Sequence, residues 1–296
     1  MDPTPTCCPH RPCPARGQTG RGNSGIHAQT EPRCICHEGP KTFRAPTGTV
    51  FDRLRTAAET VSLGVTWLAH GGPGPAMGAA LGCDERPRAA GWTRSGRQGQ
   101  AGHASLVEPA RDRGQGQADE RRVTKQGGMV WMALAMMGPP RLGLGGEVSE
   151  QRDLPLSRRL IERVRRGAVP RPLLVCPAGV CTYLRAMREP CRAPGRTGPG
   201  GRPRLRPWRH VLSAHVVQRD ERRRGVETER RIVEGTPARV ETLRRRSQGA
   251  GGIHTADIAR LHAPCRARCA PLARRCRALA RETLTLHEAM FLGGTV

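Results

Sequence analysis

Seven residues near the amino terminus carry the sulfur and imidazole groups that soft metal ions prefer. They are Cys7, Cys8, His10 and Cys13, followed after a loop by Cys34, Cys36 and His37. Zinc takes four thiolate or imidazole ligands in a tetrahedron, usually as two short-spaced pairs separated by a loop. The first pair would come from Cys7, Cys8, His10 and Cys13, and the second from Cys34 with Cys36 or His37. The spacing has no C-x2-C and no H-x3-H, so the expectation is no bound cofactor, with a zinc site as the one alternative. Further along, His262, Cys265 and Cys269 fall at i, i+3 and i+7, but Pro264 sits among them and breaks the helix that would align them.

A second chemistry is phosphate binding. The chain holds 48 arginines and two lysines, and its net charge is +25. Arginine stays charged at any physiological pH and presents a planar fork matched to phosphate. The candidate contacts are Arg202, Arg204, Arg206 and Arg209 in a stiff Arg-Pro strip, Arg222, Arg223 and Arg224, and Arg244, Arg245 and Arg246. Such groups position a protein on nucleic acid without reading its sequence. With aromatic residues at 3%, a base-stacking platform is excluded. The expected partner is therefore nucleic acid, held by nonspecific electrostatics.

No catalytic motif is complete, so the chain is not expected to be an enzyme. His70-Gly71-Gly72-Pro73-Gly74 resembles the oxyanion loop of α/β-hydrolases, but no Gly-x-Ser-x-Gly nucleophile elbow exists. Arg231-Ile232-Val233-Glu234-Gly235 resembles the activation site of trypsin-like proteases. His215 precedes it, which is the wrong order, and no Gly-Asp-Ser-Gly follows. No P-loop and no dinucleotide fingerprint is present.

The elements that would position these groups are sparse. Residues 1–48 read as a disordered Cys/His/Pro-rich tail. Phe51, Leu54, Ala58, Val61, Val65 and Leu68 mark one face of an amphipathic helix over 49–70. A Gly/Arg/Gln-rich loop follows over 71–128, then a short apolar segment over 129–137. A short basic helix spans 156–166 with Leu160, Ile161 and Val164 on one side, and a Pro/Arg-rich loop occupies 167–208. Basic helices fit 209–247, one of them opening on Thr236 and Pro237. C-terminal helices fit 256–292. Their stripe of Leu272, Cys276, Leu279, Thr283, Leu286 and Met290 over 271–291 suggests weak helix-mediated self-association.

Composition sets the fold class. Leu, Val, Ile and Phe make up 17% of the chain, below the roughly 20% under which a highly charged chain is expected to be disordered. The expectation is a mostly disordered, low-complexity chain with isolated short α-helices and no single globular core. Gly, Ala, Arg and Pro, whose codons are GC-rich, supply 144 of 296 residues. No specific biochemical function is inferable from this, and the sequence reads first as a spurious GC-rich reading frame. The alternatives are a nonspecific, arginine-driven nucleic-acid-binding or accessory protein, and a small zinc-binding adaptor acting through the N-terminal Cys/His cluster. Neither a signal peptide nor a transmembrane run is evident, so a cytoplasmic location is the default.

Overall fold

The computed structural model describes residues 2–294 except 11, 40, 73, 83–84, 139, 170, 179–181, 196–203, 208–210, 222–223, 249–251 and 274–278. At 74–75, 81, 85–89, 193–195, 206–207, 218–221, 224–227, 248 and 293–294 it describes the backbone alone. The chain divides into two compact units, Met1–Thr66 with Gly74–Gln98, and Trp67–Pro73 with Gly99–Val296.

In the first unit, period-two alternation drives the amino-terminal segment into strands. β1 (Ser24–Ala28), β2 (Arg33–Cys36) and β3 (Thr42–Arg44) form an antiparallel sheet in that order. Along β2, Cys34 and Cys36 are buried while Arg33 and Ile35 are half-buried. Phe43 of β3 is buried opposite Cys34. Three helices follow, α1 (Ala58–Ala69), α2 (Gly74–Leu81) and α3 (Glu85–Val107), of which residues 67–69 and 99–107 belong to the second unit. Small residues let α1 and α3 approach closely, since a Cβ at Gly91 would lie 3.2 Å from Val61.

The second unit is built on a six-stranded mixed sheet in the order β11-β10-β7-β4-β5-β6. β4 (Gln115–Lys125), β5 (Gly128–Met137) and β6 (Gly143–Ser149) form an antiparallel meander. The two-residue turn between β4 and β5 places Gly127 at φ 81°, which glycine adopts without steric cost. Helix α4 (Leu154–Arg166) crosses over to β7 (Leu173–Pro177), which runs parallel to β4. After α5 (Thr182–Arg188) comes a separate two-stranded ribbon of β8 (Arg192–Gly195) and β9 (Arg204–Pro207). β10 (Val211–Glu221) pairs parallel with β7, and β11 (Arg224–Glu234) returns antiparallel beside β10. Helices α6 (Pro237–Gln248), α7 (Ala256–Arg268) and α8 (Thr283–Gly294) close the unit, with a 3-10 turn at Ala270–Leu272.

Both faces of the sheet carry a core. On one, Leu156, Leu160, Ile161 and Val164 of α4 and Tyr183 of α5 pack over Ala118, Ala133, Ala135 and Val175. On the other, Val240 and Leu243 of α6 pack over Leu174, Cys176, Leu212 and Ala214. Asp153 starts α4 by accepting the Leu156 amide at 3.0 Å, satisfying one of the donors that a helix start leaves free.

This architecture corrects the expectation of a mostly disordered, low-complexity chain with isolated helices and no globular core. Residues 1–48, expected disordered, carry β1–β3. The segment 71–128, read as loop, holds α2, α3 and β4, and 129–137 is a strand of the central sheet. Residues 167–208 contain β7, α5, β8 and β9. Much of 209–247 is the β10–β11 hairpin, with α6 after it. The physical reason lies in which residues fill the core. Alanine fills four of the fifteen buried positions of the larger core, where its small side chain brings helix and sheet backbones close enough to exclude water, and Leu, Val, Ile and Tyr fill nine of the others.

The region 271–291 is not one helix. Its described parts are the 3-10 turn, the non-helical residues 273 and 279–282, and α8 from Thr283 onward, and Leu272, Leu286 and Met290 are buried within the chain. Those three residues therefore offer no apolar face to a second copy. Among the described residues, no helix is long and apolar enough to cross a membrane.

Candidate metal centre

Two stretches of the first unit bring thiols together. The first is a loop closed on itself. Cys8 forms a β-bridge with Arg16, the Gly17 amide donates to the Cys8 carbonyl at 3.3 Å, and the Cys13 amide donates to the His10 carbonyl at 3.1 Å. The loop thus turns Cys8 and Cys13 to the same side. The second stretch is the end of β2, where the Cys36 amide donates to the Lys41 carbonyl and the chain turns through Glu38 and Gly39. A Cβ at position 39 would come within 2.8 Å of Cys13 Sγ, so glycine is what lets this turn pass over the thiol.

The result is a convergence of Cys8, Cys13 and Cys36. Their sulfur atoms all lie within 4.8 Å of one another, and all three residues are buried. Cys13 Sγ and Cys36 Sγ are 3.6 Å apart. A zinc tetrahedron with Zn–S bonds near 2.3 Å has sulfur–sulfur edges of about 3.8 Å, so this separation suits a shared metal. A disulfide would require about 2.0 Å, and these three cysteines are free thiols.

The electrostatics separate the thiols. Burial drives the Cys8 thiol up to about 11, with Cys13 and Cys36 adding to the effect against a hydrogen bond from the His10 amide. Burial also opposes ionisation of Cys36, but there it is outweighed. The Gly39 amide, the Cys13 thiol, the Glu38 amide and the Cys8 thiol around its sulfur favour the ionised form and hold it below the usual thiol range. Donors converging on one sulfur favour its thiolate, the form that ligates metals.

The remaining sequence candidates fall elsewhere. Cys34 is buried on the same face of β2 as Cys36, beside Thr6, whose hydroxyl donates to its sulfur at 3.7 Å. Two residues along a strand are about 6.6 Å apart, so adjacent inward positions do not readily reach one ion. Of Cys34, Cys36 and His37, the residues that the sequence offers for the second pair, Cys36 alone joins Cys8 and Cys13. Cys7 is half-buried. His37 lies across Gly25 of β1. His10 keeps a buried Nε2 with no hydrogen-bond partner among the described residues.

Among the arginine candidates with described side chains, the three on α6 have acidic neighbours. Arg244 is mostly buried and bonds both oxygens of Glu241, and Arg245 bonds the same carboxylate at 2.7 Å. These contacts hold the Glu241 carboxyl at about 2. Arg246 lies 3.8 Å from Asp112. Arg204 is exposed on β9. Arg202, Arg206, Arg209, Arg222, Arg223 and Arg224 lie outside the residues whose side chains are described. In the second unit, His262 Nε2 sits 3.2 Å from Asp119, while the Cys269 thiol donates to the Ala289 carbonyl. His262, Cys265 and Cys269 thus do not meet at a common point among the described residues.

The chain matches no protein-family model, and comparison with curated proteins gives no match.

Proposed function

We propose that the first unit is a small zinc-binding module, and that the chain acts as a binding adaptor rather than an enzyme. The observation that carries this reading is the convergence of three buried sulfur atoms within 4.8 Å. Cys8, Cys13 and Cys36 supply three thiolates. The His10 imidazole, two residues from Cys8 and with a buried Nε2 that has no hydrogen-bond partner among the described residues, lies outside the three-sulfur cluster and would have to move in to complete the tetrahedron. Burial of all three cysteines suits a closed structural site, since catalytic zinc keeps a position open to water or substrate. The ion would tie the Cys8–Cys13 loop to the end of β2. With a net charge of +25, a polyanion such as nucleic acid is the partner class that fits, bound by charge rather than by base readout.

Metal analysis of the purified chain tests the reading. One zinc per chain is expected in the parent and in Cys34→Ser. Cys8→Ser, Cys13→Ser and Cys36→Ser should each lose it. Zinc that survives Cys13→Ser but disappears with Cys34→Ser would place the site on other residues and overturn the assignment.

A further inference from the structure

The strand β11 presents an edge that complements itself. Among the described residues it pairs with β10 on one side and stands last in the six-stranded sheet. From Thr228 to Glu234 its residues are exposed except for Glu229, which is half-buried, and Ile232 and Val233 are each 39% exposed. The outer backbone groups of such a strand form a row of donors and acceptors suited to another strand.

Edges of this kind are usually blunted by like charges, which repel a second copy. Here the signs alternate instead. Glu229 and Arg231 share one face of β11, where Arg231 Nε donates to Glu229 Oε1 at 2.6 Å. Arg230 points to the opposite face, and its Nε donates to the Ile253 carbonyl at 2.7 Å. An antiparallel partner related by a two-fold axis through Arg230 would set Glu229 against Arg231 of the second copy, and Arg231 against its Glu229. The two in-strand pairs would then join into one ring of four alternating charges, with each guanidinium forked between two carboxylates. The same register sets Ile232 opposite Thr228. The two Arg230 guanidiniums would oppose each other on the far face, one repulsive pair set against the two attractive ones, and each is directed to the Ile253 carbonyl of its own chain.

We propose that β11 is a docking edge for a second copy of this chain, joining two six-stranded sheets antiparallel across a two-fold axis. Such an isologous contact uses the same patch on both copies and closes at a dimer. It is independent of the metal centre, which lies in the other unit.

Charge exchange tests the register. Light scattering of the full chain should give a dimer for the parent, weakened by salt. Glu229→Arg and Arg231→Glu should each be monomeric, because each sets like charges opposite one another at two places. The double variant E229R/R231E should recover the dimer. Mixing the two single variants should yield a heterodimer, since one supplies only arginine and the other only glutamate at these positions. The substituted side chains are exposed or half-exposed, and circular dichroism matching the parent would establish that each variant is folded. A monomeric parent, single variants that remain dimeric, or a mixture that stays monomeric would overturn the proposal.

Discussion

If the proposed zinc site holds an ion, stripping it should unfold the amino-terminal sheet while the six-stranded sheet stays intact. This is the expected outcome of chelation followed by hydrogen exchange, and Cys36→Ser should reproduce it without a chelator. The cause is the small core under β1–β3, which consists of Cys8, Cys13, Cys34 and Cys36 with Ala15 and Phe43. Phe43 is its one large side chain, and full burial of such a residue contributes about 1.5–3 kcal/mol. A structural zinc site contributes about 10–16 kcal/mol in finger peptides at neutral pH, and so dominates a core of this size. Amides from Ser24 to Arg44 should therefore pass from protected to fast exchange when the metal leaves. Those of β4 and β5 should not change. If β1–β3 stay protected in metal-free protein, the thiols form an apolar core that needs no ion.

The second large effect belongs to the other unit. Leu160→Ala should cost roughly 2–5 kcal/mol, because it removes a fully buried side chain from the face of α4 that packs on the sheet. The loss should appear as a lower urea midpoint with an unchanged slope. Leu106, which is 73% exposed, provides the contrast, and Leu106→Ala should fall within about 0.5 kcal/mol of the parent. Equal effects at the two positions would mean that α4 does not pack as described.

Helices were legible in the sequence where both their periodicity and their ends are local. The α4 stripe of Leu160, Ile161 and Val164 is buried as a 3.6-residue period requires, and Asp153 and Gly167 bound the helix. Thr236 and Pro237 open α6 in the same way, with the Arg239 amide donating to the Thr236 hydroxyl. The strands were not legible, for reasons that differ between them. The sequence of β4, Gln-Gly-Gln-Ala-Asp-Glu-Arg-Arg, reads as a polar loop, yet it lies in the middle of the sheet. Gln115 and Gln117 are fully buried there and find partners far along the chain. Ser247 donates to Gln115 Oε1 at 3.1 Å, and the Ile258 amide donates to Gln117 Oε1 at 3.0 Å. A buried polar group is tolerated when it is hydrogen-bonded, and no sequence window shows a partner so remote.

β5 failed differently. Met132, Ala133, Leu134, Ala135 and Met136 are all buried because helices cover both faces of the sheet, so the alternation that marks a half-buried strand is missing. In β10, Leu212, Ser213, Ala214 and His215 are likewise buried on both faces. Arginine-rich flanks then favoured a helical reading of that region. The candidate site was legible as a set of residue types but not as a grouping. The seven Cys and His residues were visible, whereas the choice of Cys36 over Cys34 depends on strand register and on the turn at Gly39.

The central claim is that Cys8, Cys13 and Cys36 bind one zinc ion together. X-ray absorption at the zinc edge of the full chain tests it most directly, because it reports the atoms around the metal. The account predicts about three sulfur neighbours near 2.3 Å with one lighter ligand near 2.0 Å, and Cys34→Ser should leave that spectrum unchanged. A shell of oxygen and nitrogen alone, or a chain that takes up no zinc, would contradict it.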